Sequence, residues 1–267
     1  MTTAETFTLA ELMIVAAARA WADDGEVMAN GIGTLPRIAA GLAKLRLNDQ
    51  LLLTDGEAFA VEDPVPLGCA PEDRPGHAGW FPYGRIFESL WSGRRHAMVT
   101  PVQIDRFAQA NISCLGDFRK PKVQMLGVRG FPGNSISHCN SMLVTTHDRR
   151  TFVPGEVDVV CSAGYSDRLW PAGARRPDIR IGRVVTPLCV MDFGGPDHAP
   201  RVLSLHPGVS FEEVAANTGF ELLRAPELGE TPAPTVEDLA VIRRLDPHDQ
   251  RAGALKGNPS GLRARAA

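Results

Sequence analysis

Apolar and polar positions alternate along this chain in short blocks, which predicts many brief elements rather than one long period. Leu9, Leu12, Met13, Ala16, Ala17 and Ala20 recur at helical spacing, and Thr8 followed by Glu11 supplies a capping box in front of them. Gly25 ends this helix. Residues 26–29 read as a short strand, and Asn30-Gly31-Ile32-Gly33-Thr34-Leu35-Pro36 leads into a second helix running to about residue 45, with Pro36 suited to its first turn. The apolar run 50–54 reads as a buried strand. Strand, loop, helix and strand in this order predict an α/β fold with an open, mostly parallel sheet flanked by helices.

Residues 56–82 are rich in Pro, Gly and acids and read as one long loop, a length that in a compact domain often serves function. A helix over 84–91 and a strand over 96–100 follow. Short strands and turns occupy 112–144, further strands 156–160 and 183–190, and a short helix 211–217. From about 245 the chain turns polar and Gly/Arg-rich. This divides it into a single α/β domain over 1–244 and a polar, mobile tail over 245–267. No internal repeat is visible.

Composition narrows the function classes. The 267 residues carry a formal net charge of −3, so no general nucleic-acid or membrane-surface binding is expected. No run approaches the ~20 apolar residues of a membrane span, and the N-terminus lacks the basic region of a signal peptide, so a cytoplasmic protein is expected. The five cysteines, at 69, 114, 139, 161 and 189, form no C-x-x-C pair and read as reduced thiols.

Candidate chemistry lies in a few turns. Gly127-Val128-Arg129-Gly130-Phe131-Pro132-Gly133-Asn134 places an arginine inside a glycine-dense turn. Glycines permit close backbone approach, and an arginine adds a fixed cation with a fork of donors. A plain surface turn is the competing reading. Asn30-Gly31-Ile32-Gly33 before a helix suits a phosphate cradle or a tight packing turn. Asp55 and Glu57 follow a buried strand, where α/β proteins bind ligands. They offer a nucleophile or general base, or else a turn cap and a solvated acid. Gln103, Asp105 and Asn111 either orient a substrate or brace the neighbouring glycine loop. His138, Cys139 and His147 match no common zinc spacing, so no metal is expected. His206 reads as structural, and Asp197 and His198 lie in a second glycine turn.

These segments together resemble the β subunit of class I CoA transferases over roughly residues 10–225. Gly31-Ile32-Gly33-Thr34-Leu35-Pro36-Arg37-Ile38-Ala39 resembles the family's G-x-G-x-P-x-x-(I/V/L)-A opening, and Thr54-Asp55-Gly56 lies where the family carries its catalytic glutamate. Residues Gln103 to Asn111 resemble Q-V-D-x-x-G-N-x-N, the Gly127–Asn134 turn resembles the G-x-G-G segment near the thioester, and Pro207-Gly208-Val209-Ser210-Phe211-Glu212-Glu213-Val214 with Thr218-Gly219-Phe220 resembles P-G-V-T-x-E-E-V…T-G-F. The resemblance implies the class I CoA-transferase fold.

The departures are as informative. Family transfer uses a glutamate nucleophile that passes through an anhydride to a glutamyl-CoA thioester, and here Asp55 occupies that position. Losing one methylene retracts the carboxylate by roughly 1–1.5 Å, and misplacement by ~1 Å can cost ~10²-fold. Arg129 replaces a family glycine. In both respects the chain is similar to the β subunits of actinobacterial steroid-ring hydrolases. That branch implies an αβ heteromer, α₂β₂, which opens the last steroid rings of a CoA thioester by hydrolytic C–C cleavage with the essential glutamate on the α chain. Coenzyme A then enters as part of the substrate and no separate cofactor is implied. Arg129 would position substrate, with Asp55 and Glu57 as pocket acids and Gly127, Gly130, Gln103, Asp105, Asn111 and Asn134 as substrate or CoA contacts. A genuine acyl-CoA:carboxylate CoA transferase and a non-catalytic scaffold subunit are the alternatives.

Overall fold

In the computed structural model, which describes residues 2–74, 76–89, 92–125, 127, 128, 130–137, 139–169 and 179–263, the first helix forms as its cap predicts. Thr8 Oγ1 accepts the Glu11 N–H (3.3 Å) and Glu11 Oε2 accepts the Thr8 N–H (2.9 Å). The helices are α1 (Leu9–Ala18), α2 (Thr34–Arg46), α3 (Tyr83–Glu88), α4 (Phe131–Ser137), α5 (Phe211–Ala216) and α6 (Val236–Leu245). The strands are β1 (Met28–Gly31), β2 (Leu53–Thr54), β3 (Phe59–Val61), β4 (His77–Trp80), β5 (Arg95–Val99), β6 (Gln103–Ile104), β7 (Ala110–Asn111), β8 (Cys114–Leu115), β9 (Val123–Gln124), β10 (Cys139–Leu143), β11 (Arg180–Val185), β12 (Cys189–Asp192), β13 (Arg201–Leu205) and β14 (Leu223–Glu230). None of the described helices is long and apolar enough to cross a membrane.

The chain forms two compact units, Met1–Val99 with Thr231–Ala267, and Thr100–Glu230, where the sequence suggests one domain over 1–244. In the first unit β1 and β5 pair in parallel, Met28 opposite Arg95 and Gly31 opposite Met98. Helix α1 is apolar at every position but Glu11 and buried along its whole length, as befits a core helix, and packs against α2 and α6. The stretch expected as one loop over 56–82 instead holds β3 and β4, which join β2 in an antiparallel sheet. Pro64, Pro66 and Gly68 lie in the connection between β3 and β4.

The segment after Leu245, expected as a mobile tail, folds back on α1. Leu9 N–H donates to Pro259 O and Gly261 N–H to Phe7 O. Glu11, 2% exposed, receives Arg251 at 3.3 Å and Arg243 at 3.4 Å, and Arg251 also pairs with Asp246 at 3.0 Å. A buried carboxylate is tolerable only with such partners.

In the second unit the strands run β10, β11, β12, β13, β14. The outer pairs, β10 with β11 and β13 with β14, are parallel, and β12 runs antiparallel to both of its neighbours. The expected strand over 183–190 is thus a hairpin that turns between β11 and β12. Residues 156–160, expected as a strand, form none. Asp158 Oδ2 accepts the Gly116 N–H (2.7 Å) and Asp158 N–H donates to Gln103 Oε1 (3.0 Å), so this stretch clasps the hairpins β6–β7 and β8–β9 instead of joining a ladder. The result is an α/β fold with a mixed, mostly parallel sheet and flanking helices.

Candidate functional site

In the first unit the turn after β1 approaches the start of α2 closely. A Cβ at Gly31 would stand 2.1 Å from the Pro36 carbonyl oxygen, and Gly33 caps α2 with φ +114°, so both positions call for glycine. Asn30, Gly31 and Arg37 line a cavity of about 110 Å³ together with Thr54 and Gly56 from the next turn. The fold thereby brings Asn30 and Gly31 together with Thr54 and Gly56 at one small cavity, whose lining does not include Asp55 or Glu57.

Asp55 organises the second of these turns. Its Oδ1 accepts three backbone N–H groups, from Glu57 (2.8 Å), Ala58 (3.0 Å) and Phe59 (3.1 Å). Its Oδ2 faces Arg74 Nη1 at 3.9 Å. Burial pushes the carboxyl up, but the three N–H groups and Arg74 outweigh this and hold it below its ordinary value. Glu57 forms a bidentate pair with Arg74, Oε1 to Nη2 at 2.8 Å and Oε2 to Nη1 at 3.0 Å. That pair lowers its carboxyl as well. A carboxylate so engaged is an anchor for its turn and a poor nucleophile, because attack requires breaking the bonds that stabilise its charge.

Arg95 has no signature among the sequence candidates. It is 7% exposed, its Nη2 donates to Asn30 Oδ1 at 2.5 Å, and no carboxylate pairs with it among the described residues. Burial pushes its guanidinium down from its ordinary value. Arg74 is likewise invisible in the sequence, since it lies 17 residues from Glu57 within a stretch that reads as loop.

In the second unit the Gln103–Asn111 motif is internal bracing. Gln103 and Asn111 face each other across β6 and β7, and Asn111 Nδ2 donates to Gln103 Oε1 and to Cys114 O, both at 2.8 Å. Asp105, fully buried, caps the connecting turn: Oδ1 accepts from Phe107 N–H (2.9 Å) and Gln109 N–H (3.1 Å), and Oδ2 from Gln109 Nε2 (2.6 Å). Burial raises its carboxyl above the ordinary value despite these donors.

This hairpin supports the glycine turn. Ser113 N–H donates to Asn111 Oδ1 (2.9 Å), Met125 N–H to Ser113 O (2.7 Å) and Gly127 N–H to Ile112 O (3.3 Å). A Cβ at Gly127 would meet Ile112 Cδ1 at 2.9 Å, so packing accounts for this glycine and its N–H is already used. Gly130 differs: a Cβ there would meet nothing within 4 Å. Its carbonyl accepts the Asn134 N–H (3.1 Å), which starts α4. Asn134 is 2% exposed, its carbonyl accepts Asn140 Nδ2 (2.8 Å), and among the described residues its Oδ1 is buried without a hydrogen-bond partner. Arg129 and His138 lie outside the described residues.

The remaining polar candidates are structural. His147 bridges Thr186 Oγ1 (2.8 Å) and Thr218 Oγ1 (3.1 Å), and burial pushes its imidazole down to about 4. His206 Nε2 bonds the Thr186 carbonyl at 2.8 Å. Burial pushes the Cys189 thiol up to about 12, which keeps it an unreactive core residue.

No family model matches the chain. The cholesterol ring-cleaving hydrolase IpdB subunit of Rhodococcus jostii is 43% identical over 91% of this chain and 94% of its own length. The crystal structure of Rhodococcus jostii IpdAB superposes with a TM-score of 0.85 at 42% identity, over 93% of this chain and 98% of that one. More distant is a 3-oxoadipate CoA-transferase subunit from Pseudomonas knackmussii, 31% identical over 94% of this chain and 96% of its own. Glutaconate coenzyme A-transferase from Acidaminococcus fermentans shares the fold at a TM-score of 0.75 and 26% identity, over 91% of this chain and 96% of that one. A likeness of this extent places the chain in the family of cholesterol ring-cleaving hydrolase IpdB subunits, a branch of the CoA-transferase fold.

Proposed function

We propose that the chain is the β subunit of a heteromeric hydrolase that opens a steroid-derived ring of a CoA thioester by hydrolytic C–C cleavage, together with an α subunit. The observation that carries this reading beyond family likeness is the anchoring of Asp55. An attacking carboxylate must present a free oxygen, and here Oδ1 serves three backbone N–H groups while Oδ2 faces Arg74. Hydrolytic ring opening needs no nucleophile from this chain. Water adds to a ring ketone, the C–C bond breaks, and the electron pair is held as an enolate before protonation. Such a step needs a general base and an electrostatic sink for oxyanions.

Arg129 fits the sink or a substrate carboxylate, since its fork suits either. Gly130 supports an approach to backbone at that turn, because nothing inside the described chain requires a glycine there. Gln103, Asp105 and Asn111 act one step back by holding the turn, and the base resides on the α chain. The assembly is α₂β₂ and cytoplasmic, and coenzyme A enters only as part of the substrate.

Trapping with borohydride or hydroxylamine during turnover of the reconstituted heteromer tests the reading. It predicts no covalent CoA adduct on this chain. An adduct at Asp55 or Glu57 establishes the transferase instead.

A further inference from the structure

Arg95 is a buried cation with no counter-ion among the described residues. It opens β5, and burial pushes its guanidinium down from its ordinary value. A buried charge without an opposite partner is costly, so its retention calls for a use. Its side-chain hydrogen bond among the described residues runs from Nη2 to Asn30 Oδ1, and its Nε is buried with no partner among them. The strand register allows this contact. Met28 lies opposite Arg95 and Asn30 opposite Ala97, so Asn30 and Arg95 share one face of the sheet.

A guanidinium only donates, so Asn30 must turn its oxygen to Arg95 and its Nδ2 elsewhere. That Nδ2 has no hydrogen bond among the described residues. Asn30 also lines the small cavity that it shares with Thr54 and Gly56, of about 110 Å³. No carboxylate is among the residues that line this cavity, whereas Arg37 is, with a field that reaches Glu57. A space of this size takes one oxygen-bearing group of a molecule and not a ring system. Its surroundings favour an oxygen that carries negative charge.

We propose that Arg95 is a positioning residue for ring opening: by holding Asn30 Oδ1 it fixes Asn30 Nδ2 as a donor to the substrate oxygen that becomes negative when water adds to the ring ketone. The inference rests on the proposed function for the identity of that oxygen. The guanidinium polarises the amide it holds, which strengthens the donor. Negative charge arises on the oxygen only as the reaction proceeds, so the pair acts on kcat and leaves KM.

Ring-cleavage kinetics and thermal melts of the reconstituted heteromer test it. Asn30→Asp gives Arg95 the carboxylate it lacks and removes the donor, so the midpoint holds or rises while kcat falls by about 10²-fold or more and KM stays within about twofold. Arg95→Met removes a buried unpaired charge, so its midpoint also holds or rises, and kcat falls by about tenfold or more as Asn30 loses its fixed orientation. In an Asn30→Ala background Arg95→Met lowers kcat by less than about twofold further, because Arg95 acts through Asn30. A purely structural pair shows midpoint and activity falling together. A kcat within about twofold of native in Asn30→Asp or in Arg95→Met overturns the inference, as does a full further loss in the double variant. Midpoints below native in both Asn30→Asp and Arg95→Met overturn it whatever the activity. Ring cleavage by the native complex with unchanged variants removes this inference alone. If the native complex transfers CoA and opens no ring, the proposed activity falls, and the same kcat pattern read on transfer upholds or overturns Arg95 as a positioning residue.

Discussion

Arg74 grips Glu57 with both terminal nitrogens, at 2.8 and 3.0 Å, and the same guanidinium stands 3.9 Å from Asp55. Two acids that would be candidates for chemistry in isolation are thereby neutralised by one cation and a ring of backbone donors. Asp55 thereby holds the turn through Oδ1, and Glu57 is held by Arg74.

Asp55→Asn preserves Oδ1 as an acceptor for the three N–H groups, so ring-cleavage turnover of the reconstituted heteromer stays within about fivefold of native. Asp55→Ala orphans those donors and destabilises the chain by roughly 1–3 kcal/mol. Urea unfolding of both variants with parallel turnover assays separates these effects. A loss of about 10³-fold or more in a stable Asp55→Asn protein is the signature of a catalytic carboxylate.

The glycine turn makes a paired prediction. Gly127→Ala drives a methyl against Ile112 and destabilises the chain by roughly 1–3 kcal/mol. Gly130→Ala has open space and leaves the thermal midpoint unchanged, while turnover falls by about tenfold or more as the methyl enters the path of the substrate. Thermal melts and kcat/KM for the two variants check both halves.

Glu11 holds the returning C-terminal segment through Arg251 and Arg243. Removing it leaves a buried guanidinium with Asp246 as its main partner, so Glu11→Ala costs about 2–4 kcal/mol in urea unfolding. Truncation after Leu245 exposes α1 and lowers the melting temperature further.

His147 sets an acid limit on stability. Its folded value of about 4 lies below the ordinary 6.5, so between these values the unfolded chain binds a proton that the folded chain refuses. Stability from this residue is complete above about 6.5 and is lost as pH falls toward about 4, at up to about 1.4 kcal/mol per pH unit. Urea midpoints measured across this range show the decline in the native chain and a shallower one in His147→Gln.

Helix α1 is legible in the sequence because Thr8 and Glu11 act locally, within one turn of each other. Helix α6 carries the same local signal in Thr235 and Asp238, ahead of Leu239, Ile242 and Leu245, and is open to the same reading. Strands β3 and β4 are hidden because Phe59–Val61 and His77–Trp80 are too short for periodicity to speak, amid prolines and acids. The 103–111 motif is visible as residues, but its part in bracing the turn depends on the Asn111–Gln103 and Asn111–Ser113 bonds. Arg74 and Arg95 are invisible as partners of Glu57 and Asn30, since contacts across 17 and 65 residues leave no trace in spacing.

Hydrolysis and transfer differ in the fate of water and of coenzyme A, and that difference is directly measurable. The reconstituted heteromer is given a ring-bearing CoA thioester in oxygen-labelled water, with a free carboxylate acceptor present, and products are read by mass spectrometry. The account predicts a ring-opened product that keeps its CoA and carries one labelled oxygen in the new carboxylate. An intact ring with CoA moved to the acceptor carboxylate contradicts it.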